Sequence, residues 1–200
     1  MIDHQIGLIL QHLRDKGLYD DTLIIFASDH GETIGIHGGA FDKGAMAYEE
    51  VYRVPLIVKT KGNYNAGSTN HDFVSLLDLP STFRELAGAD DKSSHGKSLL
   101  PVLNGQGTTG REHIMSQFHG HRFPVAQRIL WWDRYKFVLN FADRDELYDL
   151  DEDRYEMDNL IDRSECVGVI DECKHRLLMS MDEVDDTLGP QARHLLEREI

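Results

Sequence analysis

Residues 23–59 read LIIFASDHGETIGIHGGAFDKGAMAYEEVYRVPLIVK, and the fold class follows from this stretch. Leu23, Ile24, Ile25, Phe26 and Ala27 form an unbroken apolar run, the pattern of a strand covered on both faces in a parallel sheet. The run ends abruptly at Ser28, Asp29, His30 and Gly31, which places a carboxylate and an imidazole at the strand's carboxyl end. In open α/β sheets that edge is where ligands bind. The segment that follows carries Gly35, Gly38, Gly39 and Gly44 with His37 and Lys43 and few large apolar residues, so it reads as a loop able to lie close to a small anion. Val54, Pro55, Leu56, Ile57 and Val58 make the next strand, with the proline tolerable at its start.

The strings SDHGE, GIHGG, FDKG and YEEVYRVPLIVK, in this order and spacing, resemble the C-terminal half of the catalytic region of the sulfatases, in the alkaline phosphatase superfamily. The likeness extends over roughly residues 1–160, through MIDHQIGLILQHLRDKGLYDDTLIIFASDHGE, FVSLLDLPSTFRELAGA and RYKFVLNFADRDELYDLDEDRYEMDNL. It implies an α/β fold: the C-terminal part of an alkaline-phosphatase-like α/β sandwich over residues 1–110, then a C-terminal subdomain over 111–200 with a small antiparallel sheet and a packed helix.

Composition narrows the partners. A net charge of -14 argues against nucleic acid or an anionic membrane, both of which need basic surface. No apolar run approaches the ~18 residues of a membrane span. Met1 leads directly into an amphipathic pattern, so no signal peptide is read and localisation stays open. Cys166 and Cys173 stand seven apart on an expected helix, roughly 10 Å along its axis, and read as unbridged thiols.

Ile2, Ile6, Ile9, Leu10 and Leu13 recur at helical spacing, with Gly17 as a stop, and this helix is expected to pack on the sheet. Tyr48–Arg53 reads as a short helix or tight turn, Pro80–Ala87 as a helix ended by Gly88, and Ser98–Leu103 as a further turn or two. His113–Phe118, Gln127–Trp132, Tyr135–Phe141 and Glu146–Leu150 read as an antiparallel meander. Helices are expected over Val169–Met181 and Gln191–Ile200.

The chemistry-bearing residues are Asp29, His30, His37 and Lys43. An aspartate and a histidine side by side where a strand gives way to a loop can reach one or two metal ions. Carboxylate oxygen suits a hard ion such as calcium, while imidazole suits manganese or zinc, and the pair alone does not choose. The resemblance implies that Asp29 and His30 complete a calcium site and that Lys43 contacts the substrate sulfate as a compact cation. His37 either touches the sulfate ester or hydrogen-bonds within the loop. His119, in Phe118-His119-Gly120-His121-Arg122, either lines the rim of a substrate pocket or sits in a surface turn.

Sulfatases take their nucleophile, a formylglycine, from Cys or Ser in a Cys/Ser-x-Pro-x-Arg motif. The residues two before each proline are Arg53, Asp78, Leu99, Arg122 and Leu188, so that nucleophile is not encoded in this chain. The expectation is therefore a metal-dependent sulfuric ester hydrolase sequence present as a fragment, inactive alone, whose partners are a sulfate ester and either the missing N-terminal half or a second copy. Two alternatives stand beside it: a phosphonate monoester or phosphodiester hydrolase of the same superfamily, and a non-catalytic remnant domain. The sequence does not name the ester.

Overall fold

The computed structural model describes residues 1–41, 43, 46–63, 65–89, 95–120 and 124–197. Asp42 and Gly44 of the glycine-rich loop, and His121 and Arg122 of the His-Gly-His turn, lie outside the described residues. In chain order the elements are α1 (Ile2–Asp15), β1 (Ile24–Ala27), a kinked turn α2 (Ile36–Gly39), α3 (Glu49–Tyr52), β2 (Leu56–Lys59), α4 (Asp78–Leu86), α5 (Leu100–Leu103), β3 (His113–Phe118), β4 (Gln127–Trp132), β5 (Tyr135–Asn140), β6 (Glu146–Asp149), α6 (Val167–Glu183) and α7 (Gly189–Leu196). They fall into two compact units, each discontinuous in sequence: residues 1–28, 55–72 and 76–110 in the first, 29–54, 73–75 and 111–200 in the second.

In the first unit β1 and β2 pair antiparallel, Ile24 opposite Lys59 and Ala27 opposite Leu56. This departs from the expected parallel strand buried on both faces. Phe26 and Ile57, direct cross-strand partners, are 40% and 64% exposed, so one face of the pair is open. An apolar run records that a strand is meant to be covered, but not by what or in which direction its neighbour runs. α1 differs from expectation for the same reason: its apolar stripe exists, yet none of its residues is buried. Lys59 ties the chain between α1 and β1 to β2 by donating to the carbonyls of Tyr19, Asp20 and Thr22. α4 begins on a buried Asp78, which accepts the Lys97 N–H at 2.8 Å, and Pro80 sits in its first turn.

The second unit is built on the four-stranded meander β3-β4-β5-β6, antiparallel throughout. The four strands begin where the alternation and turn residues predict, and the two-residue turn between β4 and β5 places Asp133 at a left-handed φ of 52°. One face, with Leu130, Phe137, Leu139 and Leu147, packs on a stripe of α6 formed by Ile170, Cys173, Leu177 and Met181. The opposite face, with Ile129, Val138 and Trp131, packs on Ala47 and Tyr52 from the segment around α3. Both faces are thus covered, which is why β4 and β5 are almost continuously buried although the sheet is antiparallel. A buried Arg128 crosses to Asp186, past α6, in a two-pronged ion pair. Cys166 and Cys173 are both free thiols, the latter wholly buried.

Candidate metal and anion site

The segment 29–54 belongs to the second unit, and its shape is dictated by Gly31. A Cβ at that position would lie 1.8 Å from the Glu50 carbonyl oxygen, so only glycine lets the chain pass this close to α3. The Gly31 N–H donates to the Val51 carbonyl at 2.8 Å and pins the contact.

This passage presents Asp29 and His30 side by side. The Asp29 carboxylate is 86% exposed, and the His30 backbone N–H donates to it at 3.0 Å. That hydrogen bond above all holds the carboxyl below the usual value of 3.8. His30 Nδ1 lies 2.7 Å from the Gly31 carbonyl, which can only accept, so Nδ1 carries the proton and Nε2 the lone pair. Lys43 Nζ, which can only donate, lies 2.7 Å from Nε2 and agrees with that tautomer. Nε2 is also 3.6 Å from an Asp29 oxygen. An imidazole lone pair, a carboxylate and an ammonium therefore converge on one point.

Between Gly31 and Lys43 the chain closes on itself. The Gly35 N–H and the Thr33 hydroxyl both donate to the Ala40 carbonyl, at 2.7 and 2.9 Å. The turn needs left-handed backbone at Gly35, Gly38 and Gly39, where glycine accepts it freely, and at His37, where φ is 47° in a residue with a Cβ. What holds His37 there is its ring: it stacks face to face on Tyr48 at 3.6 Å and 4°, and Nε2 is 3.4 Å from the Glu50 carboxylate. Its side chain is 8% exposed.

The structure thus joins Asp29, His30 and Lys43 directly, and holds His37 in a second group with Tyr48 and Glu50. α3 lies beside both, since Glu50 pairs with His37 through its carboxylate and abuts Gly31, the residue after His30, through its carbonyl. His119 is exposed just beyond β3, and among the described residues no contact links it to either group. Tyr48 and Glu50 escape a reading of the sequence, where Tyr48–Arg53 shows only a short helix. The spacing of two from Tyr48 to Glu50 is uninformative until His37 is known to lie between them.

The donor set suits a divalent cation in part. Asp29 stays anionic across neutral pH, and His30 Nε2 is held in ligating form by its Nδ1 hydrogen bond, as metal-binding histidines are. Among the described residues no group of three or more His, Cys, Asp or Glu is placed to hold a metal ion.

The family described as N-sulphoglucosamine sulphohydrolase, C-terminal, matches residues 35–183. The N-acetylglucosamine-6-O-sulfatase of Bacteroides thetaiotaomicron is 33% identical over 173 residues, covering 82% of this chain and 31% of that relative. A solved protein in complex with its substrate D-glucosamine-2-N,6-O-disulfate superposes with a TM-score of 0.85 at 28% identity, over 93% of this chain and 39% of its own. The phosphonate monoester hydrolase of Agrobacterium radiobacter superposes with a TM-score of 0.81 at 28% identity, over 91% and 39%. The chain spans 31–40% of the length of such curated relatives. With residues 35–183 matched and the α/β architecture shared, the chain belongs to the sulfatases of the alkaline phosphatase superfamily, as a stretch of their C-terminal region.

Proposed function

We propose that this chain contributes the metal-completing and anion-binding part of a sulfuric ester hydrolase, the remaining parts being supplied by sequence outside these residues. The observation that carries the reading is the convergence of Asp29, His30 Nε2 and Lys43 Nζ, with 2.7 Å between the ammonium and the imidazole. Asp29 and His30 would hold a divalent cation, calcium before manganese or zinc. When bound, such a cation would neutralise negative charge on the sulfate and the nucleophile. Lys43 adds a compact positive charge suited to a tetrahedral anion and to the charge that builds on its leaving group. His37, fixed by Tyr48 and Glu50, lends a second polar contact for the ester. Two side chains are too few for calcium, which takes about six to eight oxygen ligands, and no formylglycine motif is present. The site is therefore incomplete within this chain.

The test uses a full-length protein carrying this segment. Asp29→Ala is expected to lower both bound metal and sulfate-ester turnover. Lys43→Ala is expected to lower turnover and leave metal in place, because the ammonium competes for the His30 lone pair instead of supporting the ion. Unchanged metal content in Asp29→Ala removes the metal assignment, and metal loss in Lys43→Ala removes the anion role. A second reading, phosphonate monoester or phosphodiester hydrolysis, is favoured by the superposition on the phosphonate monoester hydrolase. Relative rates on an aryl sulfate and an aryl phosphonate separate the two.

A further inference from the structure

Two charged side chains are fully buried where the sheet meets the segment that carries the anion loop. Lys136, the second residue of β5, has no exposed surface and is ion-paired with Glu156, whose carboxylate is equally buried. Glu156 is a non-glycine residue at φ 54°, a conformation that persists only where the surroundings over-determine it. Its other carboxylate oxygen accepts the backbone N–H of Glu49 at 2.6 Å, the first residue of α3. Glu49 is gripped from the sheet a second time: Trp131 Nε1–H donates to its carboxylate at 2.6 Å, and Lys136 Nζ lies 3.5 Å from the same oxygen. Burial pushes the Glu156 carboxyl upward, against the pull of Lys136.

One residue further on, Glu50 presses its carbonyl against Gly31 and directs its carboxylate to His37, and Tyr48, on the other side, stacks on the His37 ring. We propose that the buried Lys136–Glu156 pair is a positioning device: it fixes the start of α3 on the C-terminal sheet, and α3 in turn sets Gly31 and His37. Stability alone does not account for the pair, because apolar residues of similar volume in its place are often neutral or better. A fixed geometry for α3 does account for it. The inference rests on reading His37 as a contact for the ester.

The double substitution Lys136→Met/Glu156→Leu removes both charges at similar volume in the full 200-residue chain. Amide hydrogen exchange and the His37 ring resonances are followed by NMR. The Gly31 amide should exchange roughly ten-fold faster or more, the His37 resonances should move as the Tyr48 stack loosens, and the Val138 and Leu139 amides of β5 should keep their protection. Unchanged Gly31 exchange and His37 resonances, with β5 intact, overturn the proposal. If the double variant also loses β5 protection, Glu156→Gln decides, since it breaks the ion pair with Lys136 at nearly unchanged side-chain volume. It must move the His37 resonances in the same direction, and no movement again overturns the proposal. The measurement involves no ligand, so it can fail while the anion-site reading stands, and the reverse.

Discussion

Replacing Gly31 by alanine is the sharpest test of how the site is built. The new Cβ would start 1.8 Å from the Glu50 carbonyl oxygen and 2.8 Å from its carbon. The two backbones must separate by about 1.2 Å to reach even the 3.0 Å that real Cβ contacts respect. Overpacking of this kind costs about 1–3 kcal/mol, and the Gly31 to Val51 hydrogen bond that breaks with it adds about 1 kcal/mol. The loss should therefore be on the order of 3 kcal/mol, and with a urea m-value of about 2 kcal/mol/M the midpoint should fall by roughly 1–2 M. Both tryptophans, Trp131 and Trp132, lie on β4, so intrinsic fluorescence reports the unit that holds Gly31. Gly7→Ala is the matched control: Gly7 lies inside α1 with nothing within 4 Å of a Cβ, in the other unit. There alanine should stabilise α1 by roughly 0.5–1 kcal/mol and leave the tryptophan transition where it is. A Gly31→Ala midpoint within about 0.3 M of wild type, at the same m-value, would refute the close approach.

Three further outcomes are expected. Arg128 holds the Asp186 carboxyl below its usual range, chiefly by direct hydrogen bonds. A depressed carboxyl stabilises fully above its unfolded value of about 3.9 and loses that contribution as pH falls through the folded value. Arg128→Met should thus cost about 3–5 kcal/mol at neutral pH, with the gap to wild type closing below pH ~4 in urea titrations; a pH-independent gap contradicts the pairing. Burial pushes the Cys173 thiol up to about 12 and also raises Cys166, so thiol labelling of the native chain should reach Cys166 slowly and Cys173 only on unfolding. Rapid labelling of both would contradict the α6 packing. Finally, the chain assayed alone with an aryl sulfate and added calcium or manganese should show no turnover, because the parts of such a site act together. Turnover abolished by Asp29→Ala would reveal an unrecognised nucleophile.

Legibility followed the range of the interactions. The four strands of the small sheet could be read from alternation and from turn residues such as Asp133, since both are properties of a few consecutive residues. Asp29 and His30 are neighbours in sequence, so their proximity was equally plain. The partner of β1 was not, because Leu23–Ala27 encodes burial without encoding direction. Nor were the groups that hold His37. Tyr48 and Glu50 matter only because the loop turns left-handed at His37, and the Lys136–Glu156 pair joins positions far apart in sequence. One local clue existed: Lys136 is a charge set into the apolar run Tyr135–Leu139, where a strand with both faces covered has no place for an unpartnered ammonium.

The hydrogen bond from Glu49 to Glu156 spans 107 residues of chain. On a ribosome adding roughly 5–20 residues per second, Glu49 leaves the tunnel some 5–20 s before the glutamate that receives it. During that interval the glycine-rich loop and α3 have been made but α3 lacks the carboxylate that receives its first N–H, and contacts so distant in sequence close slowly even in a finished chain. The geometry proposed to bind the anion is then among the last things the protein acquires. A premature stop between residues 44 and 156 would leave Asp29, His30 and Lys43 translated, yet without the glutamate that receives the first N–H of α3.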